Sequence, residues 1–543
     1  MRFAVILLVA LCLAACGRGQ AVRPACPAGQ VCLELGNQSD PVSLDPAKIT
    51  GTWEDRIESD LIVGLIQDDA EGRPVPGVAT SWTTSPDGLT WTFHLRKATW
   101  SDGSPLTADD FVYALRRLLD PRTGSEYASL MYVIQNAEAV NAGKLPPSAL
   151  GVRATDPLTL EIRLVHPAPY LPELAKHQTM YPVPRHVVEQ WGDAWTRPGH
   201  FVGDGPFELT DWRLGDYLRV VKNPLFWDAA TVCADRIDYL PTADTIAAER
   251  RVKRGELDAN DLIVANRVAF LRRPDQMPGY VRAHTYLGIY YLAFNTHDVP
   301  AFRDPRVRIA LSMSLDREFA AGKLLQGVNK PAYTFVPPGV AGYASPPPPI
   351  WASWPLARRQ AAARVLLRQA GYGPDHPLAV EIKQANSTNG QLLTPSIQSD
   401  WAAIGVRASL VLEETQIAYQ DFRLRDFQVA SAAWIADYND AMSFLYLMQS
   451  KTGAQNYGDY VNPAYDALLA QADNEPDTKR RAAILARAES LMLADAAVAP
   501  FYFGVNTNLV NPRVTGFVDN IVDHHRSRYL CVKGAGPAKA PAP

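Results

Sequence analysis

The most informative position in the sequence is an acidic residue, Asp437, within the segment 430–440, which reads ASAAWIADYND. It follows an apolar, strand-like run over residues 427–433, and no lysine or arginine stands beside it. A carboxylate buried in such surroundings without a cation is costly. Its partner would then come from outside, such as the α-ammonium group of a peptide, which predicts a ligand anchor. The alternative is a solvated aspartate that starts a turn, because Tyr-Asn-Asp is typical of turns.

The cysteines form a second group that could do chemistry. Four of the six follow the first twenty residues of the chain: Cys26, Cys32, Cys233 and Cys531. An even number in an exported chain predicts two disulfides. The short spacing favours a local Cys26–Cys32 bridge, which leaves Cys233–Cys531 as a long-range one. A metal site is the alternative, but there is no CxxC motif and no histidine near these cysteines in sequence, so we predict no metal.

Motifs that would indicate an enzyme are missing from the sequence. We find no Gly-x-Ser-x-Gly, no His-Glu-x-x-His and no glycine-rich phosphate loop. His524 and His525 are adjacent, and adjacent residues of a strand point to opposite sides, so two unrelated histidines are favoured over a metal pair. The sequence therefore predicts neither an enzyme nor a bound cofactor.

The beginning of the chain predicts export. Arg2 precedes an apolar run over residues 3–13, which is too short for the ~20 residues that span a bilayer, so 1–15 is predicted to be a signal peptide. Leu-Ala-Ala before Cys16 resembles the cleavage site of bacterial lipoproteins and makes Cys16 the predicted lipidated residue. An ordinary cleaved signal with an incidental cysteine is the alternative.

Length and charge restrict the remaining possibilities. A chain of 543 residues predicts two or three lobes. A net charge of −4 without a basic stripe gives nucleic-acid binding little electrostatic support. Hydrophobic periodicity predicts mixed strands and helices, hence an α/β fold. The predicted strands are 31–35 and 498–503, with a hairpin over 79–100 that turns at 85–88. The predicted helices are 53–66, 356–370 and 477–494, and a further helix that begins at a Thr107–Asp110 capping box and ends at Asp120.

Several segments resemble a known family. Residues 79–96 (ATSWTTSPDGLTWTFHLR) and 100–113 (WSDGSPLTADDFVY) are similar to the family 5 extracellular solute-binding proteins of ABC importers. Further segments resemble the oligopeptide-binding members of this family, which have murein-peptide receptors as near relatives. These segments are 43–46, 72–77, 127–129, 205–212, 304–308 and 434–439. The similarity extends from about residue 35 to residue 532.

The resemblance implies a periplasmic-binding-protein type II-like α/β fold with two lobes around a ligand cleft and one extra domain. Hinge motion closes such lobes over the ligand. The implied division is a signal peptide 1–15, a lipidated flexible tether 16–36, lobe I from 37–62 with 201–288 and 489–535, an extra domain II from 63–200, lobe III from 289–488, and a disordered tail 536–543. Cys233 and Cys531 both fall in lobe I under this division.

The resemblance also implies a binding site. Members of the family hold an extended peptide as an added strand, so that backbone bonds provide affinity for many side chains. Asp437 matches the carboxylate that receives the peptide ammonium, and Trp434 matches the wall of a side-chain pocket. The matching backbone groups are those of Ala433, Ile435, Gly51 and Thr52, and the resemblance leaves open whether Tyr127 or Tyr132 supplies a hydroxyl.

The sequence departs from the family pattern in three ways, one of which is that a pocket tryptophan of the relatives matches Ile417, in a gapped region. The two cysteines that form a disulfide in oligopeptide-binding relatives match Gly288 and Ile435 here. An arginine that can bind the peptide carboxylate matches Ser431, which leaves Arg423 or Arg425 as candidates for that role. Carboxylate recognition therefore does not carry over from the family.

The resemblance implies a lipid-anchored monomeric receptor at the periplasm or outer face of the cell membrane. It would bind short peptides and deliver them to membrane-embedded ABC importer subunits, touching the membrane through its lipid alone. A receptor for murein peptides or another amine-bearing solute is the near alternative. An exported hydrolase or a lipoprotein scaffold is the alternative of a different class.

Overall fold

The structure, a computed structural model, describes residues 25–535. The predicted signal peptide, the predicted lipidation site Cys16 and the predicted tail 536–543 lie outside the described residues. Among the residues described, no helix has both the length and the apolar character needed to cross a membrane.

The described chain is a mixed α/β structure. Its strands are β1 (Cys32–Gly36), β2 (Ile66–Asp68), β3 (Pro74–Pro76), β4 (Ala79–Thr84), β5 (Thr90–Leu95), β6 (Ala98–Thr99), β7 (Pro105–Leu106), β8 (Val152–Asp156), β9 (Thr159–Arg163), β10 (Phe207–Arg213), β11 (Tyr217–Lys222), β12 (Arg236–Leu240), β13 (Ala259–Asp261), β14 (Val281–Phe294), β15 (Lys330–Pro331), β16 (Ala379–Ala385), β17 (Arg407–Glu413), β18 (Val429–Ile435), β19 (Val498–Val510), β20 (Val514–Thr515) and β21 (Cys531–Val532).

Helices alternate with these strands along the chain. The α-helices are Thr52–Leu61, Ala108–Leu119, Ala137–Asn141, Leu171–Leu174, Arg185–Trp191, Thr245–Lys253, Ala265–Leu271, Pro305–Met313, Arg317–Phe319, Leu356–Gln369, Thr388–Ala402, Thr415–Leu424, Met442–Leu445, Pro463–Asp473 and Thr478–Ala494. Short 3₁₀ turns and one π-helical turn, Ala320–Leu324, connect several of them.

One large sheet organises the molecule, with the strand order β10-β11-β12-β1-β13-β19-β14-β18-β16-β17. We call β10, β11, β12, β1 and β13 the first half-sheet, and β18, β16 and β17 the second half-sheet. The long strands β14 and β19 lie between them and pair with each other over most of their length, and we call them the spanning strands. They join the two half-sheets.

The spanning strands are interrupted at one point. Thr285 pairs with Val505 and Ile289 pairs with Phe503, so residues 286–288 bulge out of the ladder. Gly288 and Gly504 face each other there, and a Cβ built on Gly504 would lie 3.5 Å from the Cα of Gly288. Such a bulge bends a strand locally, and here it falls where the first half-sheet gives way to the second.

A separate four-stranded sheet, β4-β5-β9-β8, lies within the segment predicted as an extra domain. Trp91, Phe93 and Leu95 of β5 alternate inward with outward polar residues, as the pattern predicted. The core of this sheet is continuous with that of the first half-sheet, since Phe93 of β5 and Ile237 of β12 belong to one apolar cluster.

The main predicted elements are confirmed. The hairpin is β4 and β5, and its turn places Gly88 at φ +72°, a conformation that glycine adopts readily. The helix predicted at the capping box is Ala108–Leu119, where the Asp110 carboxylate accepts the Thr107 N–H at 2.8 Å. The predicted helix over 53–66 is shorter, Thr52–Leu61.

The start of ordered structure corrects one boundary. The predicted flexible tether 16–36 includes residues 32–36. In the structure these residues form β1, which pairs with β12 on one side and β13 on the other. Leu33 and Leu35 of this strand are buried, so apolar burial fixes it in the middle of the first half-sheet.

Two disulfides stand at the edges of this half of the molecule. Cys26 is bonded to Cys32, with the Cα atoms 5.8 Å apart, and this bridge holds residues 26–31 as a loop next to β1. Cys233 is bonded to Cys531 across a sequence separation of 298 residues, with the Cα atoms 5.4 Å apart. This second bridge ties β21 back to the segment that precedes β12.

Candidate functional site

Asp437 lies two residues beyond the end of β18. Its backbone N–H donates to the Ser443 Oγ at 3.1 Å, which folds the chain back toward the helix Met442–Leu445. Ser443 is fully buried, so it is a fixed point for the turn. The carboxylate is thus positioned by the strand on one side and by a buried hydroxyl on the other.

The electrostatic environment of Asp437 is unusual. The side chain is half-buried and, within residues 25–535, forms no ion pair. Burial raises the pKa of its carboxyl to about 7, and a long hydrogen bond donated by the Tyr127 hydroxyl, 3.5 Å from Oδ1, offsets this only in part. A cation placed beside this carboxylate would relieve the desolvation cost and restore the ionised form.

Trp434 is held by the same serine. Its indole Nε1–H donates to the Ser443 carbonyl at 2.7 Å. Its ring packs edge-on against Tyr446, with ring centroids 5.8 Å apart. The charge of Asp437 is close enough to add to the effect of burial in raising the pKa of the Tyr446 hydroxyl. Trp434, Tyr446 and Asp437 therefore surround one small region.

The outer edge of β18 is open near this region. β16 pairs with β18 only as far as Ser431. Ala436 donates its N–H to Leu287 of β14 at 2.9 Å, and alternate residues of a strand present their backbone groups to opposite edges. Ala433 and Ile435 therefore direct their N–H and C=O groups to the free edge.

The two edge residues differ in their surroundings. The Ala433 N–H donates to the Tyr419 hydroxyl at 3.3 Å. Ile435 is 43% exposed, so its backbone is accessible from solvent at the end of the strand. Both positions can take part in β-augmentation, in which an extended peptide adds a strand to a sheet edge.

Gly51 and Thr52 are placed at the start of a helix. Gly51 precedes Thr52–Leu61, donates its N–H to the Glu54 carboxylate at 3.0 Å and accepts the Glu54 and Asp55 N–H groups through its C=O. Both backbone groups of Gly51 are thus used by the helix itself, whereas Thr52 is exposed.

The structure distinguishes the two candidate tyrosines. The Tyr127 hydroxyl faces Asp437, and its ring packs edge-on against His177 with centroids 5.1 Å apart. The Tyr132 hydroxyl instead donates to the Asn141 Oδ1 at 2.8 Å. Tyr127 is therefore the tyrosine that reaches the region of Asp437.

A cavity of about 290 Å³ opens beside Ala433 between the two half-sheets. Residues 262–264, directly after β13, line it on one side, and Tyr419 of the helix Thr415–Leu424 and Ser431 of β18 line it on the other. Tyr290 and Tyr502 stack on its wall at a centroid distance of 4.3 Å. The lining, as far as the structure describes it, contains no charged side chain, so the cavity suits neutral groups of a ligand.

Three further features bear on the site: the positions that match the family disulfide, the candidate arginines and a second cavity. Gly288 and Ile435 are register partners on β14 and β18, so the positions that match the family disulfide are cross-strand neighbours. Arg425 is paired with Asp459 at 2.8 Å, and Arg423 is exposed. A larger cavity of about 510 Å³ is lined by Lys48 and several arginines, but Lys48 is paired with an aspartate at 2.6 Å.

The adjacent histidines diverge, as the sequence predicted. His524 Nδ1 lies 2.7 Å from the Asp68 Oδ2, whereas His525 Nε2 lies 2.9 Å from the Asp523 Oδ1. The two imidazoles contact different aspartates, so they do not bind one metal ion together as a pair.

Sequence reasoning missed Ser443, Tyr446 and Tyr419. Ser443 acts through one hydroxyl and one carbonyl, and a serine after a turn carries no signal of such a role. Tyr419 comes from the helix Thr415–Leu424, and its contact with Ala433 depends on how that helix packs against β18. The proximity of these residues to the motif in sequence was the only available indication.

Comparison with known proteins identifies the family. Residues 73–456 match the model of the bacterial extracellular solute-binding proteins, family 5 Middle. The chain is 37% identical over 500 residues to the periplasmic oligopeptide-binding protein OppA of Salmonella typhimurium, covering 90% of this chain and 91% of that one. It is also 37% identical over 500 residues to the periplasmic murein peptide-binding protein MppA of Escherichia coli, covering 91% and 92%.

Solved structures agree with these relatives. The structure of Haemophilus influenzae OppA in complex with RPPGFSPFR is 33% identical, with a TM-score of 0.81 over 93% of this chain and 99% of that chain. The likeness confirms the predicted type II-like arrangement of lobes. With this fold, and with a family match over more than half of its residues, the chain belongs to the family 5 bacterial extracellular solute-binding proteins.

Proposed function

We propose that this protein is an extracytoplasmic receptor that binds short peptides in an extended form between its lobes and delivers them to the membrane-embedded subunits of an ABC importer. The two half-sheets would be the cores of lobes I and III, with the four-stranded sheet in domain II. Cys16 would carry the lipid that holds the receptor at the membrane.

A single observation carries the proposal. Asp437, within the described chain, is a half-buried carboxylate without an ion pair, and it stands at the end of the open edge of β18. A peptide ammonium would provide its missing charge. The peptide would then run along β18 with backbone bonds to Ile435 and Ala433, and Trp434 would form the wall of a side-chain pocket.

The direction of the peptide follows from this arrangement. With its ammonium at Asp437, the peptide runs toward Ser431, antiparallel to β18. An extended chain advances by about 3.4 Å per residue, as β18 itself does, so about four peptide residues cover the distance from position 437 to position 433. The neutral cavity beside Ala433 would receive side chains beyond the first residue. Thr52 and Tyr127 would contact the peptide from the opposite side.

The relatives give the proposal its ligand class. Their names describe an oligopeptide-binding and a murein peptide-binding protein. A murein peptide or another amine-bearing solute is thus the second candidate, since it would use the same carboxylate. Competition between tri-alanine and a murein tripeptide, each measured against the same labelled peptide, distinguishes the two.

The central experiment is calorimetry of tri-alanine binding to the parent protein and to Asp437→Asn. Removing one partner of a desolvated charge pair costs about 3–5 kcal/mol, so we expect a loss of at least two orders of magnitude in affinity. Asp426→Asn is the matched control, because its side chain is 82% exposed in the same half of the molecule. Unchanged affinity in Asp437→Asn, with binding intact in the parent, would refute the anchor.

Mass spectrometry of ligands that copurify with the protein tests the classes against each other. A receptor yields peptides with free amino termini. A hydrolase would instead cleave tri-alanine that is added to the purified protein. A scaffold would yield no defined small ligand. Either of these two results would overturn the proposal.

A further inference from the structure

A compact group of two histidines and one aspartate lies close to the interruption of the spanning strands. His284 belongs to β14, and Asp523 and His525 belong to the segment between β20 and β21. One side-chain atom of each residue lies within 4.8 Å of the other two. The Asp523 Oδ1 is 3.0 Å from the His284 Nε2 and 2.9 Å from the His525 Nε2.

His284 is the member that needs an explanation. Its side chain is only 9% exposed, and neither ring nitrogen makes a hydrogen bond to any residue of the described chain. The Nε2 is near the Asp523 carboxylate but is not aligned to donate to it. Burying a polar group without a hydrogen bond destabilises the folded state. Native structures leave few such groups, and a bound ion is one of the recognised reasons.

The three side chains offer a recognisable set of metal ligands. Two imidazole nitrogens and one carboxylate oxygen are the ligands of many zinc sites, where a fourth position stays open. Imidazole nitrogen also suits copper and nickel, whereas calcium and magnesium prefer oxygen ligands. The donor set therefore favours a divalent transition metal over an alkaline-earth ion.

Neighbouring side chains hold the proposed ligands in place. The Asp523 carboxylate also accepts hydrogen bonds from the side-chain amides of Asn506 and Asn508 on β19. The His284 Nδ1 lies 3.7 Å from the Asp519 Oδ1, beyond hydrogen-bond distance, so a carboxylate is near that nitrogen but does not bond to it. Outer hydrogen bonds such as those of the two asparagines orient metal-binding carboxylates in known sites.

The charges around the group leave room for a cation. Arg282 is paired with Asp519 at 3.0 Å, and Arg56 is paired with Asp261 at 2.9 Å. Arg56 is the cation that faces Asp523, but its charge is already balanced by its own carboxylate. Asp523 itself forms no ion pair with an arginine among residues 25–535.

We propose that His284, Asp523 and His525 bind one divalent transition-metal ion of the zinc type, with one coordination position open. The ion would tie the segment 519–525 to β14 just before the bulge at 286–288. It would therefore brace the first half-sheet next to the point where the ladder between β14 and β19 is interrupted. This proposal does not depend on the identity of the cleft ligand.

The test uses the full chain, stripped of metal with a chelator and titrated with Zn²⁺ by calorimetry and with Co²⁺ by visible absorption. We expect one ion per chain in the parent protein, with the intense visible bands of a four-coordinate Co²⁺ site. His525→Ala and His284→Ala should bind at least about 10-fold more weakly. His297→Ala is the matched control, because His297 is 62% exposed and lies 2.7 Å from an aspartate, Asp298.

Thermal unfolding with and without Zn²⁺ provides a second readout. Zinc should raise the unfolding temperature of the parent protein and of His297→Ala, but not that of His525→Ala. If His525→Ala fails to fold, His525→Gln, which keeps a polar group of similar reach, takes its place. Absence of saturable binding in the parent, or equal affinity in the parent and the cluster variants, would overturn the proposal. A purely hydrogen-bonded group predicts the first result, and a metal site elsewhere in the chain predicts the second.

Discussion

Asp437 and Asp68 are both desolvated carboxylates near the end of a strand, Asp437 half-buried and Asp68 fully buried, yet their surroundings differ in charge. Asp68 has Lys176 at 2.7 Å, His524 at 2.7 Å and Arg526 at 3.2 Å. Burial alone would raise its pKa, but these three groups outweigh burial and hold the pKa well below its ordinary value. At Asp437 no such group is present among residues 25–535, and burial raises the pKa to about 7.

The difference indicates what each carboxylate is for. Asp68 lies at the end of β2, and its partners come from two distant parts of the chain, so it joins segments that must stay together. Asp437 carries an energetic cost that no residue of the described protein relieves. A buried charge without a partner is tolerated where function needs it. The comparison thus assigns a structural role to Asp68 and supports a ligand-binding role for Asp437.

The largest effect is expected from Asp68→Asn. Its removal leaves Lys176 and Arg526 buried without their shared carboxylate, so the free energy of unfolding should fall by about 3–5 kcal/mol. Urea unfolding of the two proteins measures this. Asp69→Asn is the control, since Asp69 pairs with the exposed Arg73 and should change the free energy by less than about 1 kcal/mol. Equal effects of both substitutions would contradict the structural role of Asp68.

The next effect is a pH dependence of peptide affinity. The ammonium of a bound peptide favours the ionised form of Asp437, so binding below the free-state pKa of about 7 must release a proton. Affinity should fall by roughly 50-fold from pH 7 to pH 5, and decline again above pH 8 as the peptide amine deprotonates. Calorimetry in buffers of different ionisation enthalpy counts the proton.

The same titration has an internal control. Asp437→Asn should lose the acidic part of the pH dependence along with most of its affinity, whereas Asp426→Asn should retain both. A flat profile in the parent between pH 5 and pH 7 would mean that Asp437 is already ionised in the free protein. The contrast with Asp68 would then be broken.

The smallest effect is a gain of stability in the ligand-free Asp437→Asn protein. Because the native state raises the pKa of this carboxyl, its contribution to stability is most favourable below the unfolded value near pH 4 and is lost as pH rises through about 7. The substitution should therefore raise the unfolding free energy by roughly 1–2 kcal/mol at pH 8 and by little at pH 4.

Urea unfolding at the two pH values checks this prediction. Asp68→Asn should lose stability under the same conditions, at pH 8 above all, so the two aspartates change in opposite directions. A loss of stability in Asp437→Asn at pH 8 would indicate that the carboxylate has a stabilising partner in the folded protein.

Local patterns predicted much of the secondary structure. The alternation of Trp91, Phe93 and Leu95 and the turn at 85–88 specify the β4–β5 hairpin, because the physical signal is contained within a few residues. The capping box at Thr107 specifies a helix start for the same reason. The predicted tether extends too far, although the alternating run over 31–35 itself indicated a strand. Only the pairing with β12 and β13, more than 200 residues away, decided that this strand lies inside the large sheet.

The sequence alone determined that Asp437 stands in a motif without a neighbouring cation, and family resemblance supplied an interpretation for it. Only the tertiary structure decided that no cation reaches it from the rest of the described chain, that Tyr127 and not Tyr132 faces it, and that His284 meets Asp523 and His525. Local elements form from short-range periodicity and capping. Charge pairing depends on contacts between segments hundreds of residues apart, which a linear pattern does not specify.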